Sequence, residues 1–261
     1  MTQLEDYFRR RRFRLINSNV EEPSNVIDSY VWDLAYDSKD ALAGSWPGSP
    51  GPTLTAVATP TLNVSTTELT TIGGIGSARE NKAIRANASG GFRLDDAWDV
   101  PGGVYHLRVL VYAHAAPGAT EHIFYLYDAT NRFIRVVRLT NGALQLYAYF
   151  GSGHSFSAFN NIHNPLAVGA WHLVDIIYDG TGGPGGVART QWMVDGSAGA
   201  TQTSATDVDM VQAGTDVNVL NTIGSGGAPS VNAVFVGRRA LSSFSEFTLA
   251  QHQADVAALG L

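Results

Sequence analysis

The sequence predicts an all-β protein: an antiparallel β-sandwich carrying an N-terminal arm and a short C-terminal helix. Three observations predict it. Apolar residues alternate with period two over several short runs after residue 100, as half-buried strands require. Asn141-Gly142 and Asp195-Gly196 stand where such runs end, as hairpin turns do. The composition is turn-rich, with 28 Gly and only 15% charged residues in a 261-residue chain that is 44% hydrophobic. That apolar content suffices for a sizeable core and excludes a disordered chain. Low charge suits surfaces covered by neighbours.

Thr2-x-x-Glu5 has capping-box spacing ahead of a short helical pattern over residues 2–12. Arg9, Arg10, Arg11, Arg12 and Arg14 then follow Glu5, Asp6, Tyr7 and Phe8, and a chain of net charge −6 thereby becomes a basic arm on an acidic body. Residues 1–30 are assigned to this arm and linker, and 31–261 to the sandwich. No apolar run follows the arginines as a secretory signal demands, and no 18-residue apolar stretch is long enough to span a membrane. The expectation is synthesis in a host cytoplasm. The dense prolines between Leu42 and Asn63 forbid a central strand there and predict an irregular segment at a sheet edge.

Val104–Ala113 places Tyr105, Leu107, Val109 and Val111 on one face. His122–Tyr127, Phe133–Leu139, Ala143–Phe150, Trp171–Tyr178, Arg189–Val194 and Ala233–Gly237 are the further strands. Thr248-x-x-Gln251 caps a closing helix that ends at Gly260.

Three passages carry a resemblance. They are Val168-Gly-Ala-Trp171-His172-Leu-Val-Asp-Ile-Ile-Tyr178-Asp-Gly180, then Gln191-Trp192-Met-Val-Asp195-Gly196, then Val234-Phe-Val-Gly237-Arg238-Arg239-Ala-Leu241-Ser242 before the helix. In order and spacing they resemble the concanavalin A-like and laminin-G-like jelly-roll superfamily, over about residues 100–261. The resemblance implies a sandwich with Trp171 and Trp192 between its two sheets. It implies little about activity, because lectins, glycosidases, lyases and virion proteins share this fold.

Catalysis finds no pattern. Sandwich glucanases of the superfamily use Glu-x-Asp-x-Glu on one strand, and the seven glutamates here never form it. Asp95, Asp96 and Asp99, like Asp207 and Asp209, read as solvated carboxylates beside turns. His106, His114 and His122 lack short metal-ligand spacing and read as surface or satisfied histidines. No cofactor is expected. Calcium, through Asp128 with Asn131 or Asp207 with Asp209, is the minor alternative.

Two functional readings remain. The first is a non-catalytic virion protein of a phage, a head decoration or a small fibre or tail component. It docks onto a capsid or tail protein through Tyr7, Phe8, Arg9, Arg10, Arg11, Arg12 and Arg14, with self-assembly into a homo-oligomer, nucleic acid being disfavoured by the acidic body. The second is a lectin-like carbohydrate-binding module using loops around Trp46 and Trp98 and the aromatic cluster of Tyr149, Phe156 and Phe159. That cluster reads equally as core or subunit interface. A polysaccharide lyase or hydrolase is the least favoured.

Overall fold

A computed structural model describes residues 25–56, 61–62, 64, 72–75, 79, 82–85, 91–100, 103–127, 132–150, 155–158, 165–179, 189–203, 212–220 and 230–261. In chain order the strands are β1 (Leu34–Asp37), β2 (Ser45–Trp46), β3 (Leu54–Ala56), β4 (Ile84–Arg85), β5 (Phe92–Val100), β6 (Val104–Ala113), β7 (Glu121–Tyr127) and β8 (Arg132–Arg138). There follow β9 (Leu144–Phe150), β10 (Ser155–Ala158), β11 (Ala170–Asp179), β12 (Arg189–Val194), β13 (Ser197–Ala198), β14 (Gln202–Thr203), β15 (Gln212–Val219) and β16 (Val231–Leu241). Helix α1 spans Leu249–Leu259.

Two antiparallel eight-stranded sheets result. One runs β1-β16-β6-β11-β12-β13, with β4 added on β16 and β14 on β12. The other runs β10-β9-β8-β7-β15-β5-β3-β2. The proline-rich stretch supplies β2 and β3, two short strands at the edge of the second sheet. Proline's missing N–H is tolerable there and not in a central strand.

The core between the sheets follows the alternation. Tyr105, Leu107, Val109 and Val111 of β6 meet Phe92, Phe124, Val136 and Leu144 of the opposite sheet, with Trp46 and Trp192 wholly enclosed. A second apolar layer lies on the other face of the first sheet. There Leu110, Tyr112, Trp171 and Leu173 pack with Val256 and Leu259 of α1 and with Val26 and Ile27.

Three expectations are thereby corrected. Trp171 does not lie between the sheets: its cross-strand partner is Tyr112, one residue out of phase with the inward Val111 and Val109, so its ring belongs to the layer under α1. The sandwich does not begin at residue 31: Val26 and Ile27 are buried, and the indole of Trp32 donates to the Ile27 carbonyl at 2.8 Å. Asp95 and Asp96 lie in the middle of β5 rather than beside a turn, and Asp99 lies next to its end. Residues 1–24, with the whole arginine run, fall outside the described residues.

Helix α1 is capped as its sequence predicts. Thr248 accepts from the Gln251 N–H, the Gln251 side chain returns the bond to the Thr248 backbone, and Gly260 takes the left-handed conformation at φ +77. Gly237 has a different duty: a Cβ there would sit 2.5 Å from the Phe235 ring and 2.9 Å from Trp32. Gly237→Ala is therefore expected to cost about 1–3 kcal/mol through overpacking, read as a drop of several degrees in the thermal midpoint. An unchanged midpoint would show that these rings can move aside.

Candidate functional site

The three sequence passages meet physically beneath α1. His172 bonds through Nδ1 to the Asp195 carboxylate at 2.6 Å, and Asp195 accepts from the Leu173 N–H at 2.9 Å, so the Trp-His strand and the Asp-Gly turn are clamped together. Asp195 itself takes φ 48 to make that turn. The next residue, Gly196, donates its N–H to His252 Nε2 of α1 at 3.0 Å.

At the centre is Asp175, which has no exposed surface. Its Oδ1 accepts from His106 Nε2 at 2.7 Å and Arg108 Nε at 2.8 Å, and its Oδ2 from Arg108 Nη2 at 2.9 Å and His252 Nδ1 at 2.7 Å. The register explains the pairing, for Asp175 and Arg108 are direct cross-strand partners on β11 and β6. Arg108 also donates to Asp255 of α1 and to the Val26 carbonyl, and the Tyr30 hydroxyl donates to Asp255 at 2.8 Å. The ring of His106 lies flat on Phe247, 4.1 Å between centroids, and its Nδ1 accepts from Arg239 Nε at 3.0 Å.

Burial alone would raise the Asp175 pKa. The Arg108 guanidinium and the histidine donors reverse that and hold it well below the ordinary range. His106 goes the other way: burial pushes its pKa down to about 4, because the imidazolium is poorly solvated there. The result is a fixed carboxylate with four donors and no path to solvent. It fastens α1 and residues 26–30 to the sheet, and it is sealed from any substrate. The sequence expected His106 to be surface or satisfied. It is satisfied, and entirely buried.

The second sheet offers a different surface. Registers across its strands set Ser45, Thr55, Arg93, Asn218, Tyr125, Arg135, Tyr147 and Ser157 in one row. A parallel row holds Asp216, Tyr127, Phe133, Tyr149 and Ser155. Beside the first row runs that of Phe92, Phe124 and Val136, which is core. In the first row the described positions run out of phase with the core, although Tyr125 is itself buried. Arg93 and Thr55 are exposed and Arg135 is half-buried.

Among the residues expected at a sugar or interface site, Tyr149 lies in β9, in register with Phe133 and Ser155. Trp46 is corrected outright: it sits in β2 rather than a loop, has no exposed surface, and donates its indole N–H to the Asp37 carbonyl at 2.8 Å. Trp98 likewise lies within β5, opposite Thr215. Phe156 lies in β10, in register with Ala148. Phe159 lies outside the described residues, as do Asp128, Asn131, Asp207 and Asp209. Among the described residues there is no group of three or more metal-ligating side chains. No described helix is long and apolar enough to cross a membrane. The reading of the sequence missed Arg93, Tyr125, Tyr127, Phe133 and Arg135 as a set. Their positions come together only once the strands are aligned.

The two sheets define an antiparallel β-sandwich of the jelly-roll kind. No protein-family pattern matches the sequence, nor does any curated protein. Solved structures do match in shape. The ligand-binding domain of botulinum neurotoxin serotype D, in complex with N-acetylneuraminic acid, superposes with TM-score 0.57 at 10% identity, over 89% of this chain and 52% of that one. The binding domain of botulinum neurotoxin serotype G gives 0.55 at 12% identity, over 87% of this chain and 51% of that one. Domain 4 of a GH43 extracellular arabinanase from Geobacillus stearothermophilus, in complex with arabinotriose, gives 0.55 at 19% identity, over 86% and 98%. The chain thus spans about half the length of the toxin domains and nearly all of the arabinanase domain. Identities this low show the fold alone.

Proposed function

We propose that this chain is a non-catalytic, lectin-like module that binds a carbohydrate on the outer face of its second sheet. The observation that carries the reading is the register, which gathers the positions of Tyr127, Phe133, Tyr147 and Tyr149 on three adjacent strands beside those of Asn218 and Asp216. Strands lie about 4.8 Å apart and alternate residues about 7 Å apart, so these positions tile a patch of oligosaccharide size. Aromatic faces receive the C–H groups of sugar rings, and amide and carboxylate groups accept hydroxyl donors. Two of the neighbours above were solved with sugars bound, which supports the reading without deciding it.

Three of the acids are out of reach of any substrate. A general acid or base must reach its substrate, whereas Asp175, Asp37 and Asp179 are buried against Arg108, Arg79 and Arg189. The virion reading rests on the arginine arm, and none of the structural neighbours named above is a virion protein. Glycan-array screening followed by calorimetry tests the proposal. Tyr149→Ala is expected to weaken binding about tenfold, or about 1.4 kcal/mol, with an unchanged thermal midpoint. Full binding by Tyr149→Ala and Tyr127→Ala alike would remove the platform.

A further inference from the structure

Helix α1 and residues 25–32 and 72–75 form a layer bonded to itself rather than to the sheet it covers. Among the described residues, their backbone-to-backbone bonds stay within this group and the cap at Thr248. Val26 N–H donates to the Gly74 carbonyl and Gly73 N–H to the Leu259 carbonyl, both at 3.0 Å. Apolar packing and a set of side-chain bonds centred on Asp175 fasten this layer to the first sheet. His252 of α1 reaches Asp175 through Nδ1 at 2.7 Å, and Arg108 links it to Asp255 and to the Val26 carbonyl. His106 reaches it from beneath Tyr30 and Phe247. Further out, Arg79 joins Asp28 of the layer to Asp37 at the end of β1.

Each of the two histidines uses both ring nitrogens. His106 donates from Nε2 to Asp175, and its Nδ1 accepts from Arg239 Nε at 3.0 Å. His252 donates from Nδ1 to Asp175, and its Nε2 accepts from the Gly196 N–H at 3.0 Å. On either ring, the nitrogen left for a second proton already faces an N–H, and two donors cannot bond each other. No spare acceptor stands nearby. Around His106 are Asp175 of β11, Arg108 of its own strand, Arg239 of β16 and Tyr30, with Asp255 bonded to Arg108 and Tyr30, and Glu246 bonded to the Ser242 N–H. Around His252 are Asp175 and the Asp195-Gly196 turn, where Asp195 is taken by His172.

We infer that this arrangement is a proton-operated latch: a second proton on His106 or His252 breaks its bond to Arg239 or Gly196, and the layer of α1 and residues 25–32 lifts from a sandwich that stays folded. Opening turns the rings to water, so the open form accepts a proton that the closed form refuses, and acid draws the equilibrium toward it. For His106, burial depresses the closed-state pKa from 6.5 to about 4, so the closed form loses its advantage as pH falls through that interval. The face uncovered carries Leu110, Tyr112, Trp171 and Leu173. This device is independent of the carbohydrate reading.

Hydrogen exchange of the full chain, read by mass spectrometry at about pH 7, 5.5 and 4.5 and corrected for intrinsic exchange rates, tests the latch. Peptides from 25–32 and 249–261 are expected to lose protection by up to about tenfold per pH unit for each proton taken up on opening. Peptides from 104–113 and 170–179, in β6 and β11, are expected to stay better protected at each pH. His106→Gln and His252→Gln, which keep a donor and an acceptor but do not titrate, should each flatten the pH dependence of the layer. Equal loss of protection in layer and strands overturns the inference, because acid then unfolds the chain as a whole. Layer protection that ignores pH overturns it too, as does a pH dependence the same in wild type and both variants. Should the variants fail to fold, the imidazole 15N shifts of the wild type decide. Uptake of the second proton where the layer opens supports the latch, and uptake while the layer is still protected overturns it.

Discussion

Asp175→Asn is expected to lower the free energy of unfolding by about 3–5 kcal/mol, the largest effect of any single conservative change in this protein. The carboxylate is fully buried and surrounded only by donors: two from Arg108, one from His106 and one from His252. An amide keeps the shape but presents an NH2 to donors on one side, and it leaves the Arg108 charge with Asp255 as its remaining acid. Desolvated charge without its partner is what makes such a site costly. Asp28→Asn serves as the contrast. Asp28 also bonds a buried arginine, Arg79, but its side chain is 61% exposed, and solvent takes over when it is removed. A loss of at most about 1 kcal/mol is expected there. Urea denaturation of the two variants at neutral pH measures both. Arg108→Met in the Asp175→Asn background should cost less than the separate losses combined, because the stranded charge leaves with it. If Asp175→Asn costs no more than Asp28→Asn, water reaches the cluster and the sealed description is wrong.

How far the sequence foretold this depends on which interaction governs each part. Local rules govern the helix cap at Thr248 and Gln251 and the turn at Asp195-Gly196, and both are legible residue by residue. Period-two alternation governs the inward face of β6, and Tyr105, Leu107, Val109 and Val111 follow it. Pairing between distant strands governs everything else. Asp175 reads as a lone acid in an apolar run until β11 is laid beside β6, when Arg108 falls opposite. Trp171 and Trp192 look alike in their strands, yet opposite phases send one under α1 and the other between the sheets. The same holds for the candidate site. Tyr147 and Tyr149 form a recognisable aromatic phrase, but Phe133, Tyr127 and Tyr125 join them only through the registers of β8 and β7. The tryptophan most tempting as a sugar platform, Trp46, is core because its short edge strand turns the ring inward to Tyr36 and Phe92.

Acid should undo the fold in a window set by His106. In the folded chain burial depresses this imidazole from 6.5 to about 4, against the attraction of Asp175 and with the help of Arg108 and Arg239. Its geometry agrees: Nε2 donates to Asp175 while Nδ1 accepts from Arg239, so a second proton would meet the Arg239 N–H head on. An unfolded chain takes up that proton at an ordinary histidine pKa. Between about 6.5 and 4, then, the unfolded state binds a proton that the native state refuses, and stability falls as pH falls. The contribution is complete above 6.5 and gone below 4, roughly 3 kcal/mol in all at 1.36 kcal/mol per pH unit. Asp175 behaves with a later onset. Held below its ordinary 3.8, it stabilises at all higher pH and is lost only as pH drops further. His122 is also depressed to about 4 and adds to the same slope, so a variant must isolate His106. His106→Gln retains a donor toward Asp175 but cannot titrate. The slope of unfolding free energy against pH over this window should drop by about one proton in that variant. An identical slope in the two proteins would mean that His106 is protonated in the native state, and that the interior beneath α1 tolerates the extra charge.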